Sequence, residues 1–195
     1  FIDGDLDGWP DIVVANGHVD DFRSHGIPFR MQAQYFANVG AGRFTELPAA
    51  QVGDYFQQEL LGRGLARLDW NRDGREDFVV SNLNSPACLV TNQTAETGHF
   101  LALQLRGVES NRDAIGTVVT VNAADQKRLK QLTAGDGYQV SNQRQLLFGL
   151  GDNRNVKELS VRWPSGRQQT FRDVAADTEY MLVEGRTELA RIPKP

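Results

Sequence analysis

A lone cysteine, no long apolar run and no basic stripe exclude several classes of protein. Cys88 is the single cysteine of 195 residues, so no disulfide can form within the chain. It lies among Ala87, Leu89 and Val90, which predicts a buried strand thiol rather than a nucleophile. No stretch approaches the roughly 20 apolar residues of a membrane-spanning helix, so no membrane span is expected. The formal net charge is −4 and the pI is near 5.4. Nucleic-acid partners need a basic stripe, so none is expected. A glycine-rich phosphate loop is missing, and Ser165 sits in a Pro-Ser-Gly turn rather than a G-x-S-x-G elbow. Long 3.6-residue periodicity is absent too. Ala123 to Leu132 is the one helical candidate, and a hairpin explains it better.

Against those absences stand two nine-residue acidic loops, Asp3 to Asp11 (DGDLDGWPD) and Asp69 to Asp77 (DWNRDGRED). Both fit D-x-[DN]-x-D-G-x-x-D, and both run into β-branched segments, Ile12-Val13-Val14 and Phe78-Val79-Val80. Crowded carboxylates repel unless a hard cation holds them, and calcium takes six to eight oxygens in a flexible shell. The expected ligands are Asp3, Asp5, Asp7, the Trp9 carbonyl and Asp11. In the second loop they are Asp69, Asn71, Asp73, the Arg75 carbonyl and Asp77. Gly8 and Gly74 take the turn that a Cβ would obstruct. An EF-hand would need a Glu at the twelfth position and flanking helices, but Val14 and Val80 stand there, inside strand-like runs. Two Ca2+ sites are therefore expected.

The loops sit at equivalent places in a longer repeat, the mark of blades rather than independent domains. The first unit contains Asp11 to Asn16, Gln34 to Asn38 and Arg43 to Leu47. The second contains Gly64 to Asp69, Asp77 to Asn82 and Cys88 to Asn92. Each predicts a four-stranded antiparallel blade. Gly17 to Ala33 reads as a long polar loop. Phe1-Ile2 reads as the tail of a strand that begins upstream, so the chain is expected to be the C-terminal part of a longer polypeptide with further blades. From Gly98 the repeat stops. His99 to Arg106 alternates, with Phe100, Ala102 and Gln104 on one face and Leu101, Leu103 and Leu105 on the other. It could supply the strand that the second unit lacks. Short runs then follow at Ile115 to Val121, Arg128 to Leu132, Leu146 to Phe148, Leu159 to Trp163, Gln168 to Phe171 and Tyr180 to Val183. They are separated by turn signals, one of them Ala124-Asp125, and indicate a small sandwich or barrel.

The motifs DGDLDGWPDIVVANGH and DWNRDGREDFVVSNLN resemble FG-GAP (VCBS) repeats, the integrin-type propeller unit. SNRDAIGTVVTV, TAGDGYQVSNQ, LLFGLGD and VRWPSGRQQTF resemble the ASPIC/UnbV domain. This order is similar to that of bacterial ASPIC/UnbV proteins and, with additions, of cartilage acidic proteins. The resemblance implies an all-β chain. Residues 1–97 would form about one and a half to two C-terminal blades of a calcium-binding β-propeller. Residues 98–195 would form a small antiparallel β-sandwich or barrel. The same resemblance implies a secreted, periplasmic or cell-surface location, and it carries the eight acidic and amide side chains above over as metal ligands.

Catalysis has little to rest on. Gly17 to Asp21 with His25 groups two histidines and two carboxylates, which could hold zinc or support acid–base work. Their spacing matches no zinc pattern, so a solvated or capping role is expected. His99 marks the junction between the two regions. Asn111-Arg112-Asp113 and Gly135 to Tyr138 are the C-terminal loops with ligand-binding potential, although Asx-stabilised turns account for them. Trp9, Trp70 and Trp163 lie beside turns. The expectation is a non-enzymatic calcium-binding module that recognises an extracellular protein or glycan. The alternatives are an accessory region of a larger secreted hydrolase and a structural cap that protects a propeller's edge strand.

Overall fold

The structure is a computed structural model that describes residues 1–124 and 126–193. Asp125, the second residue of the expected Ala124-Asp125 turn, lies outside them. The architecture is all-β. In the N-terminal half the strands are β1 (Ile12–Val14), β2 (Met31–Gln32), β3 (Gln34–Asn38), β4 (Phe44–Leu47), β5 (Glu59–Leu60), β6 (Gly62–Leu68), β7 (Asp77–Asn82) and β8 (Cys88–Val90). A short helix, α1 (Ala49–Val52), and a 3-10 turn over Asp54–Gln57 interrupt them. The β-branched runs after each acidic loop become β1 and β7, as their strand preference dictates. The sheets run β1-β3-β4 and β6-β7-β8, all antiparallel, and β2 pairs with β5.

Each repeat unit thus forms three strands, not the four expected. The units share two of them: β1 corresponds to β7, and β3 to β8. The second unit adds β6 before its loop. At the same place in the first unit only Ile2 bridges Asp11, just as Leu68 pairs with Asp77. The first unit instead adds β4 on the far side. One aromatic core joins the sheets. Tyr55, Phe56 and Phe78 are buried there with Ile2 and Val80, in edge-to-face contact at 5.2 Å (Tyr55–Phe56) and 6.2 Å (Phe56–Phe78). Such contacts add about 0.5–1.5 kcal/mol beyond the area they bury. Cys88 lies in β8 but is half-buried rather than buried, and its sulfur accepts from Asn82 Nδ2 at 3.4 Å.

The C-terminal half contains β9 (His99–Arg106), β10 (Val118–Ala123), β11 (Gln126–Gln131), β12 (Leu146–Gly151), β13 (Asn155–Arg162), β14 (Gln168–Ala175), β15 (Thr178–Val183) and β16 (Ala190–Arg191). The expected hairpin is β10 against β11, with Val118 opposite Gln131 and Ala123 opposite Gln126. Two four-stranded sheets, β11-β10-β13-β14 and β12-β9-β15-β16, form an open sandwich, not a closed barrel. Their inner faces share one core that includes Leu101, Leu103, Val119, Phe148, Leu159, Trp163 and Leu182. The sandwich is not wholly antiparallel, because β15 runs parallel to β9, with Tyr180 opposite Leu103.

That pairing corrects the expectation for His99 to Arg106. It does not complete the sheet of the second unit; β9 is a central strand of the sandwich, held by β12 and β15. Both of its faces are apolar, and a strand of that kind needs cover on both sides. Leu101, Leu103 and Leu105 face the sandwich core, while Phe100 and Ala102 cluster with Leu147 and with Leu6 of the first acidic loop.

Candidate metal centre

The two acidic loops fold alike, residue by residue. The fourth position is left-handed in both, Leu6 at φ 60° and Arg72 at φ 57°. The sixth is the glycine, Gly8 at φ 88° and Gly74 at φ 89°. A side chain at the sixth position would be strained whatever space it had. Their hydrogen bonds match as well. The first residue accepts from the glycine amide, Gly8 N to Asp3 Oδ2 at 3.1 Å and Gly74 N to Asp69 Oδ2 at 2.9 Å. The third accepts from the fifth, Asp7 N to Asp5 Oδ1 and Asp73 N to Asn71 Oδ1, both at 3.2 Å. The fifth accepts from the seventh, Trp9 N to Asp7 Oδ1 at 2.7 Å and Arg75 N to Asp73 Oδ1 at 2.9 Å.

The ninth residue ties each loop to its sheet. Asp11 Oδ2 takes Gly4 N at 3.1 Å and the Tyr35 hydroxyl at 2.5 Å, and Asp11 Oδ1 takes Asn38 N at 2.7 Å. Asp77 repeats the pattern with Trp70 N at 3.2 Å and Asn92 N at 2.7 Å. Burial, then the bond to Asp11, pushes the Tyr35 phenol far above its usual range. Tyr35, Asn38 and Asn92 were not singled out from sequence. The shared asparagine that ends QYFAN and CLVTN is the signal that could have found the last two.

The loops differ in charge. In the first, Asp3, Asp5 and Asp7 each offer an oxygen, and these lie within 4.8 Å of one another. At that spacing each charged pair repels by about 1 kcal/mol in water and about 3 kcal/mol at an effective dielectric of about 20. Asp3 is only 3% exposed, and its Oδ1 has no hydrogen-bond partner among the described residues. Burial pushes the Asp3 carboxyl up to about 7, and the neighbouring carboxylates Glu76, Asp7 and Asp5 add to the rise against the opposing pull of Lys130. Burial also raises Asp7. An orphaned, buried carboxylate oxygen beside two further carboxylates is a donor set that fits a hard cation. Asp5 is exposed and, with Asp11, lines a cleft of about 560 Å³ between the two N-terminal sheets, which gives the loop a route to solvent.

The second loop carries an internal cation. Asn71 replaces the middle aspartate, and Asp73 Oδ2 accepts from Arg75 Nη2 at 2.5 Å, Arg75 Nε at 3.0 Å and Asn71 Nδ2 at 2.9 Å. Burial alone would raise Asp73, but these donors outweigh it and hold the carboxyl below its usual range. Asp69 is pushed up to about 6, mainly by burial, and Asp77 is raised for the same reason. Trp9 and Trp70 are each 53% exposed; Trp70 Nε1 donates to Thr91 Oγ1 at 2.9 Å. Trp163 lies beside a turn, as expected, with Gly166 N donating to its carbonyl at 3.0 Å, and its side chain is buried in the sandwich core.

The other candidates do not converge. His18 Nδ1 accepts from Asp20 N at 3.2 Å, His25 meets Ser24, and Asp21 pairs with Arg23 at 2.6 Å, each a local contact in an exposed loop. His99 pairs with Asp177 at 2.7 Å where β9 begins. Asn111 closes a turn by bonding both the amide and the carbonyl of Ile115 at 2.9 Å, and Asp113 pairs with Arg144. The loop that contains Gly135 to Tyr138 continues onto the edge of β6. Gln143 N donates to Arg67 O at 2.9 Å, while Asn142 Oδ1 and Gln143 Oε1 accept from the amides of Arg67 and Asp69 at 2.8 and 2.7 Å. A further buried carboxylate, outside the two acidic loops, was not legible in the sequence. Glu184, 3% exposed, accepts the amides of Val108, Glu109 and Ser110 at 2.7–2.8 Å and the Ser110 and Ser165 hydroxyls.

Residues 107–189 match the family model described as ASPIC and UnbV. Cartilage acidic protein 1 of Xenopus tropicalis is 42% identical over 52 residues, a stretch that covers 26% of this chain and 8% of that protein. The chain therefore spans a small fraction of that relative's length. Among the described residues, no helix is long and apolar enough to cross a membrane.

Proposed function

We propose that the chain is an extracellular, non-catalytic recognition module whose N-terminal half, residues 1–97, is a propeller repeat region held rigid by two calcium ions. The observation that carries this reading is the convergence of one carboxylate oxygen each from Asp3, Asp5 and Asp7 within 4.8 Å, together with a buried Asp3 Oδ1 that has no hydrogen-bond partner among the described residues. Calcium would supply the positive charge that the first loop lacks. Asp3, Asp5 and Asp7 would hold it, with the Trp9 carbonyl and the remaining lone pairs of Asp11 completing the shell. In the second loop Asp69, Asn71, Asp73, the Arg75 carbonyl and Asp77 would do the same, once the Arg75 guanidinium leaves Asp73. Binding would then be tighter at the first loop. The match of residues 107–189 to the ASPIC and UnbV family, and the likeness to cartilage acidic protein 1, favour an extracellular setting. The partner would be a protein or glycan.

Terbium luminescence tests the metal reading, because each loop contains a tryptophan that can sensitise a bound lanthanide. Tryptophan-sensitised emission that calcium displaces is expected, with Trp9→Phe and Trp70→Phe each removing one component. Absence of sensitised emission contradicts the reading.

A second reading, a structural cap, is favoured by the loop over the β6 edge. Asn142 and Gln143 satisfy backbone groups of an edge strand that would otherwise invite pairing with another chain.

A further inference from the structure

We infer that the acidic loops are the joint between the two halves of the chain, so that calcium uptake by the first loop and seating of the C-terminal sandwich are one linked equilibrium. The inference rests on the calcium reading above and adds to it a consequence for the fold. Four consecutive carbonyls of the first loop are bound by the sequence that follows the repeats. Gly98 N donates to Asp5 O at 2.7 Å, and Gly151 N to Leu6 O at 2.9 Å. Arg128 Nη2 donates to Asp7 O at 2.8 Å, and its Nε to Gly8 O at 3.4 Å. The residues whose carboxylates converge on the candidate cation therefore belong to the same short segment whose backbone docks the sandwich.

Packing at the joint leaves no slack. Leu6 is buried against Phe100, Ala102 and Leu147 on the outer face of the β12-β9-β15 sheet. A Cβ on Gly149 would lie 2.2 Å from Asp3 Oδ2 and 2.7 Å from Leu6 O; one on Gly98 would lie 2.5 Å from Leu6 O. The second loop docks through the same position of its repeat. Arg72 Nη2 reaches Glu179 Oε2 at 2.7 Å and Pro193 O at 2.9 Å, and a Cβ on Gly74 would strike the Phe100 ring at 2.1 Å. In both loops the left-handed fourth residue, Leu6 or Arg72, thus faces the sandwich. Repulsion among unneutralised carboxylates displaces the carbonyls that Gly98, Gly151 and Arg128 read, and a cation that draws the carboxylates together sets those carbonyls in place. By linkage the effect is reciprocal, and coupling between sites is commonly 5- to 150-fold.

Amide hydrogen exchange on the intact chain, run beside calcium calorimetry, tests this. Calcium is expected to slow exchange at Gly98 and Gly151 by roughly fivefold or more, and Asp5→Ala is expected to abolish the slowing. Reciprocally, Leu147→Ala, which trims the sandwich side of the Leu6 contact without touching a ligand, is expected to weaken calcium at the first loop by a similar factor. Heat of binding with unchanged exchange at both glycines overturns the linkage and leaves the calcium reading standing. No heat of binding overturns both. If Leu147→Ala does not fold, the exchange measurement on the unaltered chain still decides.

Discussion

Asp3 and Glu184 are both buried carboxylates, and the donors around them send them in opposite directions. Asp3 has one oxygen without a partner among the described residues, and its carboxyl is pushed up to about 7 by burial. Its folded value lies above its ordinary 3.8, so the metal-free fold holds this stability below about pH 4 and loses it as pH rises through 7. Asp3→Asn keeps the acceptor for Gly8 N and removes the charge. It should stabilise the metal-free protein at pH 7.5 by about 1–3 kcal/mol, while abolishing calcium binding at the first loop. A denaturant melt in chelator checks this. At Glu184, burial is outweighed by the Ser165 hydroxyl and the amides of Ser110 and Val108, which hold the carboxyl down at about 2. Its stability is present above pH 4.5 and is lost as pH falls through 2. Glu184→Gln cannot accept all five donors, so it should cost about 1–3 kcal/mol at pH 7 and flatten the acid limb of the stability curve.

Among the elements, β6 and β9 divide what sequence could and could not reveal. The strands after each acidic loop were legible because a turn motif and a β-branched run are both local signals, and β7 spans Asp77–Asn82 as read. The alternation of His99 to Arg106 was also legible, but its partners were not. Its parallel pairing with β15 joins residues far apart in the chain, and no local pattern encodes that register. The second unit's missing fourth strand pointed to β9 as its completion, whereas the outer face of β9 is covered by Leu6 and Gly74 of the acidic loops. The short helix α1 was missed because it is only four residues long, although Pro48 and Gly53 bound it. Likewise nothing in DGYQVSNQ announces that Asn142 and Gln143 sheathe the edge of β6. Replacing both with alanine should expose that edge. Faster amide exchange at Arg67 and Asp69, with concentration-dependent association by light scattering, is the expected result; protection equal to the parent chain would contradict the edge role.

At the scale of the whole molecule, the two halves meet through the same loops that would hold the ions. Glu76 joins the loops, accepting Asp3 N at 2.9 Å and pairing with Arg67 at 2.7 Å, and Asn92 Nδ2 donates to Gly4 O at 2.8 Å. The ladders of the sandwich, by contrast, lie within residues 99–191. Chelation should therefore loosen the N-terminal sheets and the joint first. Heating in chelator should give a transition in residues 1–97 below that of the sandwich, resolvable by exchange mass spectrometry, and calcium should merge the two. The central question is whether the loops take calcium at all. A calorimetric titration of the intact chain against Asp7→Ala/Asp73→Ala asks that directly. Two saturable sites of unequal affinity, both lost in the double variant, are the predicted result; a flat titration of the unaltered chain would contradict it.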